Sequence, residues 1–85
     1  MTEDEKALEI GKLLATWNPL GDRAATVKDL NNYETEAWDI LWVMDLYGYS
    51  PKKAVSGVLE EAFLIDLDKK KLEHYCNKIK VVVAG

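Results

Sequence analysis

Apolar residues recur every three to four positions over four stretches of the chain, and Gly, Pro, Asn and Asp punctuate the gaps between them, a pattern that predicts four helices. In the first, running from about Glu3 to Trp17, Ala7, Ile10, Leu14 and Trp17 fall on one face and Leu13 widens it. Thr2 with Glu5 three residues on forms a capping box, and Glu3, Asp4 and Glu5 oppose the positive end of the helix dipole. Gly11 is a weak point in the interior. Asn18-Pro19 stops the helix, because a residue before proline is pushed out of the α region.

The stretch from Asn18 to Asn32 has no clear period and is longer than most connections in a compact domain. Ala24 to Leu30 can add a short helical turn, with Thr26 and Asp29 as caps. A second helix starts near Tyr33, where Asn31 and Glu34 repeat the capping spacing, and stops at Gly48 after Leu46 or Tyr47. Its apolar residues, from Ala37 and Trp38 through Trp42 to Leu46, go almost all the way round, which predicts a helix buried on most sides at the centre of the domain. Ser50-Pro51 opens the third helix, with serine at N-cap and proline at the first position. Ala54, Val55, Val58, Leu59, Ala62 and Phe63 form its apolar face. The fourth begins after Asp66 or Asp68 and buries Leu72, Tyr75, Cys76 and Ile79 with its lysines outward. Val81-Val82-Val83 reads as a short extended tail, too little for a sheet. The predicted architecture is all-α, one domain over residues 1–85, a small bundle of about four helices with a long loop between the first two.

Composition narrows the class. Eighty-five residues at 48% hydrophobic and 31% charged describe one globular domain. A chain of this mass exposes ~5,000 Å² when folded against ~14,000 Å² extended, enough for a core without metal or disulfide staples. Eleven Lys and Arg against fifteen Asp and Glu leave a net charge of −4. That balance disfavours both a nucleic-acid backbone and an anionic membrane as partner. Cys76 is the only cysteine, the first residues are acidic where a secretory leader needs a positive start, and the longest apolar run is five residues. A reduced, cytoplasmic setting is the expectation.

Candidate chemistry is sparse. His74 is the only histidine, and Cys76 two residues on points about 200° away around a helix, so the two form no catalytic pair. One Cys and one His are too few for a zinc site, no EF-hand spacing or phosphate-cradling glycine loop occurs, and no cofactor is expected. A metal-assisted hydrolase on Asp22, Asp29, Glu34, Glu36 and Asp39 is the enzymatic alternative. The aromatic content is more informative: three Trp, four Tyr and one Phe. Trp38 and Trp42 lie four apart on one flank of the second helix, where they either fill the core or anchor a partner. A homodimer would serve the same purpose.

Trp17-Asn18-Pro19-Leu20-Gly21, followed by Tyr33-Glu34-Thr35-Glu36-Ala37 and then Asp39-Ile40-Leu41, resembles the YugE-like family of small bacterial proteins over roughly residues 5 to 75. The resemblance implies a small all-helical domain and no assigned chemistry, since that family is functionally uncharacterised. Asn18 stands where the family has aspartate, and the connection from Gly21 to Tyr33 is longer than the family norm. Both motifs flank one loop. Read as structure, they stop one helix and cap the next, with Tyr33 stapled onto Ala37; read as function, they shape a shared pocket. The favoured function is a non-enzymatic helical module that binds a protein with a basic surface, as a regulator or an immunity-type inhibitor, and a purely self-associating subunit is a further alternative.

Overall fold

The computed structural model describes residues 2–27, 30 and 33–85. Among them the chain forms four α-helices, α1 (Glu3–Trp17), α2 (Glu34–Tyr47), α3 (Pro51–Phe63) and α4 (Lys69–Ala84), and a 3-10 helix, Gly21–Thr26, between the first two. The helices close into a ring. α1 packs on α2 and α4, and α3 packs on the same two, so that each helix has two neighbours and one diagonal opposite. The core is the apolar stripe of each helix turned inward: Ile10 and Leu14, Ala37 and Ile40, Val55 and Leu59, and Leu72 and Ile79 are all buried. The molecule measures 32 × 24 × 21 Å.

Local chemistry sets the helix ends. The Thr2 side chain accepts from the Glu5 N–H, and the Glu5 carboxylate accepts from the Thr2 N–H at 3.3 Å, completing the capping box. Ser50 caps α3 by accepting from the Lys53 N–H, with Pro51 in the first turn, and Asp68 caps α4 by accepting from Lys70 and Lys71. Gly48 ends α2 at φ 67°, a left-handed conformation that costs glycine little.

Three expectations give way. Val81–Val83 continue α4 instead of forming an extended tail, because Val82 and Val83 pack against the core from that helix and burial outweighs the modest helix penalty of β-branched residues. The helical turn in the long connection is a 3-10 helix that starts at Gly21, not Ala24. The Asp29 and Asn31 caps lie outside the described residues. Finally, α2 occupies one corner of the ring and is not its centre. Ala37, Ile40 and Leu41 are buried, whereas Trp42, Leu46 and Tyr47 are 55%, 75% and 68% exposed. Two neighbours can cover only part of a helix that is apolar on every side.

Candidate functional site

The two sequence motifs meet at one end of the ring. Asn18 ends α1 at φ 50° and Tyr33 precedes α2 at φ 62°, both left-handed. Asparagine tolerates that conformation through its short polar side chain, but tyrosine does not, so contacts must hold Tyr33 in place. They are present. The Tyr33 hydroxyl donates to Asn18 Oδ1 at 2.8 Å and accepts from the Leu20 N–H at 3.3 Å, and its ring meets Phe63 edge-on at 6.2 Å. Burial holds the phenol above its ordinary pKa, in the protonated form that can donate. Tyr33 is thus a clamp joining α1, the loop and α2 rather than a staple onto Ala37. Arg23 of the 3-10 helix donates to the Phe63 carbonyl at 3.4 Å and fastens the loop to the end of α3. The motif residues form a structural junction, and Pro19 is half-buried at its edge.

The carboxylates of the second motif separate. Glu34 and Thr35 are exposed at the start of α2, whose first turn receives no side-chain cap from Tyr33. Glu36, expected to help cap the helix, is buried instead, and its Oε1 has no hydrogen-bond partner among the described residues. Burial raises its pKa, and the like charge of Asp39 adds to the shift. Among the described residues no three His, Cys, Asp or Glu side chains come together as a metal site. Cys76 is buried and its thiol is pushed up to about 11 by desolvation, which leaves little thiolate for nucleophilic chemistry. His74 is exposed, on a different face of α4 from Cys76.

What remains is a surface. Trp38 and Trp42 lie with ring centroids 6.1 Å apart, tilted by 49°, along the flank of α2 beside α1. Trp38 is half-buried and Trp42 protrudes; Leu46, one turn further, continues the stripe. Next to it runs an open groove of about 710 Å³ between α1 and α2. Ala7, Gly11 and Ala15 supply small residues on α1, Leu8 stands exposed on its outer wall, and Trp38 lines the α2 side. Gly11, an interior weak point by propensity, is buried here and keeps this wall low. The sequence pointed to the tryptophan pair; Leu8 and the small-residue wall were missed. Their signal was the i, i+4, i+8 spacing of Ala7, Gly11 and Ala15.

Trp17, the remaining aromatic of the first motif, stacks on Tyr75 at 5.2 Å with the rings 7° from parallel and ties α1 to α4. No helix among the described residues is long and apolar enough to cross a membrane. No family model matches the chain, and neither a curated protein nor a solved structure matches it.

Proposed function

We propose that this protein is a non-enzymatic helical module that binds another protein through the α1–α2 face, as a regulator or an immunity-type inhibitor does. The observation that carries the reading is the continuous apolar stripe of Trp38, Trp42 and Leu46 on a helix whose opposite side is core. Exposed aromatic and apolar side chains arranged along one helix are the usual anchors of protein interfaces. The total accessible surface of 5573 Å² is about a tenth above that of a typical chain of this mass, in keeping with surface left for a partner. The acidic balance steers the module toward a basic surface. A reduced, cytoplasmic setting is part of the proposal, supported by the single buried cysteine. So is kinship with the YugE-like proteins, supported by two motifs that interlock through Tyr33 and Asn18.

A photo-crosslinking residue placed at Leu46 in the native cell tests the reading. One discrete protein adduct is expected, with its yield reduced by Trp42→Ala. Absence of any adduct at Leu46 and at Leu8 would remove the proposal. The enzymatic alternative has one observation in its favour, the unpartnered Glu36 carboxylate beside Asp39. Titration with Mg²⁺, Mn²⁺ and Ca²⁺ under tryptophan fluorescence, repeated on Glu36→Gln, tests it. A saturable change in the wild type that the variant loses would support a hydrolase.

A further inference from the structure

The charge of the molecule is distributed by helix. α2 carries Glu34, Glu36, Asp39 and Asp45 and no Lys or Arg, whereas α4 carries five lysines against Glu73. These two helices sit at opposite corners of the ring. The groove between α1 and α2 therefore lies in the acidic half, and its lining includes Asp4 from α1 and Glu34 from α2. The Tyr33–Asn18 clamp brings the end of α1 to the start of α2, so the two helices run antiparallel. Asp4 then marks one end of the groove, and Glu34, opposite Ala15, marks the other. On α1 the eleven residues from Asp4 to Ala15 cover about 16 Å, or three helical turns.

We infer that this groove receives an amphipathic helix of a different chain, about three turns long, with a Lys or Arg at each end of its apolar face. The inference rests on the interaction reading above and specifies its partner. Small residues on α1 admit apolar side chains of the incoming helix, Leu8 and Trp42 close over its flanks, and Asp4 and Glu34 receive its cations. Charge and burial together exclude a second copy as the occupant. Pairing α2 with α2 would bring four carboxylates against four with no cation on either helix. Pairing α2 with α4 would supply lysines, but Leu72, Cys76 and Ile79 are buried in the copy's own core, which leaves Val81 as the exposed large apolar residue of α4. Only a helix that still has its apolar face available satisfies both requirements.

The test uses a synthetic helical peptide with a leucine face and a lysine at each end, three turns apart, and a control with glutamates in place of the lysines. Binding to the full chain is followed by tryptophan fluorescence and calorimetry at low and high salt. The lysine peptide is expected to bind about tenfold or more tightly than the control. Asp4→Asn with Glu34→Gln should weaken it by a similar factor, as should Ala15→Leu, which fills the groove from an exposed position outside the core. Glu60→Gln with Glu61→Gln removes the same number of charges from exposed positions on α3 and should leave binding unchanged. Equal weakening by both charge pairs would show unspecific attraction and overturn the inference. So would a concentration-dependent dimer abolished by Ala15→Leu. Failure of the peptide while the Leu46 crosslink persists would overturn the groove assignment alone and leave the interaction module standing; loss of both would overturn the two together.

Discussion

Tyr33 concentrates the structural logic of the chain in one side chain. Its left-handed backbone opposes the intrinsic preference of a bulky residue, and the hydroxyl bonds to Asn18 and Leu20, with the edge-on contact to Phe63, hold it there. Tyr33→Phe keeps the ring and removes the hydroxyl, leaving the Leu20 N–H without its acceptor. The expected loss is about 1–3 kcal/mol in urea unfolding, with the helical far-UV spectrum retained. Glu36 is the opposite case, a buried group that costs stability. Its pKa is raised in the folded state, so folding is favoured by protonation, and its contribution is fully present below the unfolded carboxylate range. That contribution is lost as pH rises through the folded pKa. Glu36→Gln should match the wild type near pH 4 and exceed it at neutral pH by about 1 kcal/mol, read as a pH-dependent gap between their unfolding midpoints. A gap independent of pH would assign the effect to something other than the buried charge.

At the scale of elements, helix ends and helix faces behave differently. Leu64 ends α3 in a left-handed conformation at φ 53° while 87% exposed, so it combines backbone strain with unburied apolar surface. Leu64→Gly should stabilise the chain by about 0.5–1 kcal/mol, measured as a raised thermal midpoint. Along α2 the two sides should separate cleanly. Ile40→Ala opens a cavity in the core and should cost about 2–5 kcal/mol. Trp42→Ala, on the exposed flank, should cost less than about 1.5 kcal/mol. Comparable losses at the two positions would mean that Trp42 is core and that the docking surface is misplaced. The capping signals at Thr2, Ser50 and Asp68 and the stops at Asn18 and Gly48 were legible, because a cap is a contact between residues a few positions apart. The tail at Val81–Val83 was misread because helix propensity is weak beside tertiary packing, and no local signal records that Val82 and Val83 reach the core.

At the scale of the molecule, the ring gives every helix two neighbours and a share in one core. Unfolding should therefore be a single cooperative event, with tryptophan fluorescence and far-UV circular dichroism tracing coincident transitions in urea. A separate early fluorescence transition would show that the α1–α2 side, which holds all three tryptophans, opens alone. The ring also sets the acidic α2 and the basic α4 on opposite corners and gives the molecule two electrically distinct sides. The sequence determined by itself that four helices form, where they begin and end, and which stripe of α1, α3 and α4 turns inward, because helix period and end-capping act over a few residues. It was silent on the role of α2. A helix apolar all round can sit at the centre or at a corner, and its own pattern is the same in both. Only the closing of the ring, with two neighbours in place of three, decided that Trp42 and Leu46 face outward. The same closure brought Tyr33 to Asn18 across fifteen residues of chain, a meeting no local spacing encodes.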